Sequence, residues 1–84
     1  MSDAIDERAK LEARFPELAW KIIRALRAAG RPMRLKELAA AVGATDPGVF
    51  VSMAFPIRAR VIEKKERGIY ALADGYAMPV GREA

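Results

Sequence analysis

Residues 60–73 read RVIEKK (60–65), ERG (66–68) and IYALA (69–73), and this stretch predicts a two-stranded β-hairpin. The two predicted strands, residues 60–65 and 69–73, flank a three-residue turn that ends in Gly68. A residue with positive φ closes a turn of this kind, and glycine adopts positive φ without a steric cost. The tip of the hairpin then carries three cations within four residues: Lys64, Lys65 and Arg67.

Two short helices are predicted upstream of the hairpin. In residues 35–42 the apolar side chains recur at helical spacing, and residues 43–44, Gly-Ala, follow as a turn. Thr45 or Asp46 can cap the next helix. Pro47 fits the first turn of that helix, because the N–H that proline lacks would have no partner there.

One apolar stripe runs through the N-terminal third of the chain, at spacings of three and four residues: Leu11, Phe15, Leu18, Ile22, Leu26 and Ala29. It predicts a helix over residues 17–29 that Gly30 terminates. Residues 3–14 form either a separate helix or a kinked extension that shares the same apolar face. Residues 31–33 are expected to be a connector that places Met33 in the core, where Trp20 and Tyr70 are also expected.

The link between the two short helices carries a family resemblance. LAAAVGAT (38–45) is similar to the alanine–glycine–cap pattern that joins the helices of a helix-turn-helix. Because the predicted hairpin follows this helix pair in the sequence, the chain resembles the winged helix-turn-helix superfamily over about residues 18–73. The chain is also similar to two narrower groups within this superfamily. One is the winged domain at the start of abortive-infection antitoxins, which it resembles through RGIYAL (67–72). The other is the winged domain shared by restriction enzymes and a bacterial RNA polymerase accessory subunit.

The resemblance implies an α+β, mostly α-helical fold and a DNA-binding function. The expected organisation is an N-terminal helical extension (1–16), a winged helix-turn-helix domain with a two-stranded β-hairpin wing (17–74) and a short, loop-like C-terminal tail (75–84).

Length and composition argue against an enzyme. The 84 residues make one domain, which leaves room for one core and no deep cofactor cavity. Cysteine and histidine are both absent, which removes disulfides, thiolate metal sites and the commonest general base. We therefore expect no catalysis, no metal and no cofactor. The acidic N-terminus is unlike a signal peptide and no long apolar run predicts a membrane span, so a cytoplasmic protein is expected.

Charge is distributed unevenly along the chain. Residues 1–17 hold three basic and five acidic residues, a net charge of −2, whereas residues 18–84 hold twelve basic and six acidic residues, a net charge of +6. A basic excess of this kind is typical of nucleic-acid binders, although it also suits an ordinary solvated surface.

The candidate DNA-binding residues lie on the hairpin, just before it, and around the first short helix: Lys64, Lys65, Arg67, Arg58, Arg60, Arg31, Arg34 and Lys36. Lysine and arginine at such places bind phosphates by charge and do not read the base sequence. The alternative is that a small exposed hairpin carries charge for solubility and against aggregation.

The second short helix is unlike a helix that reads bases. Residues 49–57 read VFVSMAFPI, where Ser52 is the only polar side chain, whereas base edges require hydrogen-bond donors and acceptors. Helical spacing directs one set of side chains into the core: Val49, Met53 and Ile57. It leaves another set at or near the surface: Phe50, Val51 and Phe55. Pro56 is expected to end the helix at about Phe55, because its ring would clash with the carbonyl four residues back.

Three explanations for these surface residues stay open: a protein interface, cover by the N-terminal helix folded back on them, or methyl and wedge contacts in a DNA groove. Together with the N-terminal stripe they give the candidate dimer or partner interface: Phe50, Val51, Phe55, Leu11 and Phe15. The sequence thus favours a small regulator or accessory factor that binds double-stranded DNA, most simply as a homodimer. The alternative is a winged-helix module that docks on a larger protein.

Overall fold

Residues 3–82 contain four helices and three strands, in the order α-α-β-α-α-β-β. The computed structural model describes the backbone of residues 3–82 and the side chains of residues 7–82, so the outermost residues of the expected extension and tail lie outside the described part. The elements are α1 (Asp3–Glu12), α2 (Glu17–Ala29), β1 (Met33–Arg34), α3 (Leu35–Val42), α4 (Asp46–Arg58), β2 (Ile62–Glu66) and β3 (Ile69–Leu72). The fold is α+β and mostly helical, as the sequence predicts.

The N-terminal stripe is divided between two separate helices. Pro16 precedes α2 in an extended conformation, and Phe15 turns inward at the bend to pack on Trp20, with 5.1 Å between the ring centroids. Gly30 ends α2 at φ +64, as the sequence predicts, and its N–H donates to the carbonyl of Leu26. Trp20 is buried, whereas Ala29 at the end of the stripe is exposed.

The sheet has three antiparallel strands in the order β1-β3-β2, one more than the two strands of the predicted hairpin. The additional strand is the expected connector: Met33 pairs with Tyr70, and Arg34 pairs with Ile69. A strand of two residues is too short to show an alternating pattern, which is why the sequence gives no sign of it. Met33 and Tyr70 are both buried, as expected.

The hairpin itself is close to its predicted position. β2 begins at Ile62 and not at Arg60, and the register shifts between Lys64 and Glu66, where one extra residue forms a bulge. Gly68 has φ +76, the left-handed conformation that the turn requires.

Helix α4 continues through Pro56 to Arg58, so the expectation that it ends near Phe55 is wrong. A Schellman motif closes the helix after Arg58. The N–H of Val61 donates to the carbonyl of Pro56 at 2.8 Å, and the N–H of Arg60 donates to the carbonyl of Ile57 at 3.0 Å. Pro56 and Val61 are both fully buried, and this apolar burial offsets part of what the missing proline N–H costs.

Among the residues whose side chains are described, the core faces of the helices follow the predicted helical spacing except at Ala29 and Ile57. The largest fully buried side chains come from α2, α3, α4 and the start of the hairpin: Trp20, Ile22, Ile23, Leu38, Met53, Ile62, Val49, Val61 and Pro56. Ile57 was expected to join Val49 and Met53, but it is 37% exposed, because Pro56 occupies the inward position in the last turn of α4.

Helices α3 and α4 meet at 99° across a three-residue turn, residues 43–45. Gly43 has φ +68, and the Thr45 hydroxyl accepts a hydrogen bond from the N–H of Gly48 at 3.1 Å, so Thr45 is the N-cap of α4. Within residues 3–82 no single helix is long and apolar enough to cross a membrane. The bent pair α3 and α4 meets these limits of length and composition only when the two helices are counted together.

The C-terminal tail packs across α1 and α2. The hydroxyl of Tyr76 donates to the Glu12 carboxylate at 2.6 Å, which ties the tail to the end of α1. The Arg82 guanidinium lies 4.9 Å from the centroid of the Trp20 ring system, and the carbonyl of Arg82 accepts from the Arg24 side chain at 3.1 Å. The two ends of the described chain therefore hold each other in place.

Candidate nucleic-acid interface

Strand pairing brings the hairpin turn next to the start of α3. Because β1 pairs with β3 and runs directly into α3, the residues before this helix lie beside the turn. The N–H of Leu35 donates to the carbonyl of Gly68 at 3.1 Å, which fixes the two segments against each other. Cations that are about thirty residues apart in the sequence thus share one surface.

Two open clefts lie along this contact, with volumes of about 700 and 460 Å³, and both contain Arg34, Glu66 and Ile69 in their walls. The larger also contains Arg31 and Lys65, and the smaller contains Lys36 and Arg67. We call the five basic residues Arg31, Arg34, Lys36, Lys65 and Arg67 the cationic cluster. Two carboxylates, Glu37 and Glu66, line the same clefts, so the surface has a net charge of +3.

Two cations of the cluster are engaged in exposed ion pairs. The Arg31 guanidinium lies 3.1 Å from the Glu37 carboxylate, and the Lys65 ammonium lies 2.9 Å from that of Glu63. Exposed pairs of this kind contribute about 0–1 kcal/mol, so a phosphate can replace the carboxylate at little cost. Among the side chains of residues 7–82, no carboxylate lies within ion-pair distance of Arg34, Lys36 or Arg67.

The pKa values of two groups follow from these contacts. The Glu37 carboxylate accepts a hydrogen bond from the backbone N–H of Arg34 at 2.9 Å, and this bond, with the Arg31 guanidinium, lowers the pKa of Glu37 below its usual value. The hydrogen bond to Glu63 raises the pKa of Lys65. The Glu37 carboxylate and the Lys65 ammonium are therefore both charged at neutral pH.

Three predicted DNA-binding residues lie outside the clefts. Lys64 is exposed near the hairpin tip but lines neither of them. Arg58 ends α4, and Arg60 lies in the loop before β2, at the opposite end of the hairpin from its tip. Since a five-residue strand spans about 16 Å, Arg58 and Arg60 cannot share one phosphate group with the cluster.

The candidate interface residues divide into two groups. On α4, Phe50 is 59%, Val51 64% and Phe55 45% exposed, as the helical spacing predicts, so the described side chains of α1 do not bury them. By contrast, Leu11 is half-buried and Phe15 is only 7% exposed in the core of its own chain, where it offers little surface to a partner.

A groove of about 260 Å³ separates α1 from α4. Its walls combine apolar side chains with two guanidinium groups: Leu11, Phe15, Ala54 and Phe55, with Arg14 and Arg58. Sequence reasoning missed Arg14, because only the fold of α1 onto α4 brings it beside Arg58. Within the described residues no group of three or more acidic, histidine or cysteine side chains could hold a metal ion.

Comparison of the chain with protein-family models, with curated proteins and with solved structures gives no match. The function must therefore be argued from the geometry alone.

Proposed function

We propose that this protein is a small winged helix-turn-helix protein that binds double-stranded DNA through its cationic cluster. The observation that carries the proposal is that strand pairing gathers five cations from two distant segments at one surface. A phosphate backbone presents closely spaced negative charges, and a cluster of this kind neutralises several of them at once.

The geometry of the helix pair supports the winged helix-turn-helix assignment. The angle of 99° and the three-residue turn with glycine lie within the range of helix-turn-helix motifs, and a cationic hairpin follows directly. The hairpin is then the wing, and it lies next to the start of α3.

Phosphate contacts position a protein on DNA but carry no base information. Helix α4 offers only Ser52 as a polar side chain over residues 49–57, so specificity would come from DNA shape and from the spacing of two half-sites bound by a dimer. A cytoplasmic transcriptional regulator or accessory factor fits this mode of binding.

The test is a titration of duplex DNA at several salt concentrations. With about 3–5 phosphates neutralised per protomer, the logarithm of the affinity should fall linearly with the logarithm of the salt concentration, at about −0.9 for each phosphate. The double change Lys65→Glu and Arg67→Glu should weaken binding strongly and reduce the steepness of this line by about 2 units.

Lys10→Glu and Lys21→Glu together form the matched control. They change the net charge of the chain by the same amount at exposed positions of α1 and α2 that line neither cleft. If wild type fails to bind at about 50 mM salt, or if the control pair weakens binding as much as the cluster pair, the DNA-binding proposal is wrong.

A second candidate function is a winged-helix module that docks on a larger protein, and the exposure of Phe50, Val51 and Phe55 favours it. The same titration separates the two, because a pure interaction module would show no salt-dependent binding to DNA.

A further inference from the structure

The exposed side of α4 carries a regular stripe that the described side chains, those of residues 7–82, leave uncovered. Its residues recur at spacings of three and four, and all of them are exposed: Pro47, Phe50, Val51, Ala54, Ile57 and Arg58. Phe55 flanks the stripe on the side of α1, where the groove lies. We call these seven residues the α4 stripe.

The stripe is similar in area to the largest apolar patch on a typical monomer. Taking about 200 Å² for a whole aromatic side chain, its exposed aromatic and aliphatic side chains amount to on the order of 350 Å². The largest apolar patch on a monomer is often functional, which makes the stripe a candidate interaction site. A stable interface buries about 800 Å² per partner, so the neighbouring surface of α1 must contribute the rest.

The charges on α4 suit a second copy of the same helix. Only two of its thirteen residues are charged, Asp46 at the first position and Arg58 at the last, about 18 Å apart. When two such helices pack antiparallel, the end of each helix that carries Asp46 lies at the end of the other that carries Arg58. A parallel arrangement would place like charges together. Arg14, which lines the same groove as Arg58, adds a second cation at that end.

We propose that the α4 stripe is the interface of a homodimer in which two α4 helices pack antiparallel about a two-fold axis. The axis passes near Val51 and Ala54, which lie closest to the middle of α4. Because a two-fold interface is isologous, the stripe of one protomer packs on the same stripe of the other, and the opposite charges at the two ends of α4 favour the antiparallel direction.

This arrangement removes α4 from the DNA groove. The cationic cluster shares no residue with the α4 stripe, so both can be occupied at once, and Arg58 serves the dimer and not the phosphate backbone. The inference names the partner that the proposed DNA-binding dimer requires, and its test needs no DNA, so the two proposals can fail separately.

The first experiment measures mass by light scattering and sedimentation over a range of concentrations. The full chain should reach twice its monomer mass of 9.2 kDa. Phe50→Glu should abolish the dimer without unfolding the chain, because Phe50 contributes little to the core. Asp46→Lys and Arg58→Glu should each raise the dissociation constant of the dimer about tenfold, since each places like charges together. The double variant should return this constant to the wild-type value.

The second experiment uses the absence of cysteine from the chain. Ala54→Cys, near the proposed axis, should be joined to its partner by a short bis-maleimide, whereas Ala28→Cys, exposed on α2, should not. A chain that stays monomeric at high micromolar concentration overturns the proposal. So does a double charge variant that fails to restore the dimer, or equal cross-linking at positions 54 and 28.

Discussion

At the scale of single residues, Arg60 occupies a backbone position that glycine usually holds. It is the first residue beyond the C-cap of α4, and its φ of +62 lies in the left-handed region, where a side chain is disfavoured. The Schellman hydrogen bonds of Arg60 and Val61 hold the chain in this conformation.

Arg60→Gly should therefore stabilise the protein by about 0.5–1 kcal/mol, because glycine adopts this conformation without the steric cost. Urea denaturation followed by circular dichroism measures the change. Arg60→Ala is the control: it removes the same charge but keeps a Cβ atom, so it should give no comparable gain. Equal stabilisation by both variants would mean that the charge of Arg60, and not its backbone, is unfavourable.

At the scale of elements, α4 separates a core side from an exposed side within one apolar sequence. Met53 is fully buried, whereas Phe55 and Val51 lie on the exposed side. Met53→Ala should cost about 2 kcal/mol or more, because it leaves a cavity. Phe55→Ala and Val51→Lys should each cost less than about 1.5 kcal/mol, because much of each side chain already contacts water.

Unfolding in urea should be measured at a protein concentration low enough to keep all variants monomeric, so that dimer formation does not enter the free energy. If Phe55→Ala destabilises the monomer as strongly as Met53→Ala, Phe55 belongs to the core, and the α4 stripe loses its flanking aromatic residue.

The elements also show how far the sequence alone could lead. Helices with an apolar stripe and a hairpin with a glycine turn are local patterns, so α2, α3 and the β2–β3 hairpin could be predicted. β1 could not, because its two residues become a strand only by pairing with β3. The passage of α4 through Pro56 depends on tertiary burial of that proline, which no local rule contains.

The candidate site also combines features that the local sequence indicates with features that only the tertiary structure creates. The cations of the hairpin tip and of the start of α3 could each be found from the sequence, but their meeting depends on the register of Met33 with Tyr70 and on the bond from Leu35 to Gly68. The separation of Arg58 and Arg60 from the cluster likewise follows from the length of β2. Residue types were predictable, and their grouping was not.

At the scale of the whole molecule, the tail holds α1 in place through Tyr76. Its hydroxyl bonds the Glu12 carboxylate at 2.6 Å, and the Arg8 guanidinium lies 5.8 Å from the centroid of its ring. Partial burial, and then the hydrogen bond to Glu12, raise the pKa of Tyr76 far above its usual value of 10.0. The folded state therefore holds the phenol proton more tightly than the unfolded state does.

Tyr76→Phe should lower the free energy of unfolding at neutral pH by about 1 kcal/mol, since the Glu12 carboxylate loses its hydrogen-bond donor. The contribution of the wild-type phenol is fully present below its unfolded pKa of about 10 and is lost as the pH rises above that value, because only the unfolded phenol then ionises readily. Denaturation of both proteins at pH 7 and at several values above pH 10 should show the wild type losing stability faster, so that the gap between them narrows. A gap that stays constant with pH would mean that the Tyr76 hydroxyl is not held by Glu12, and that the other contacts of the tail attach it to α1.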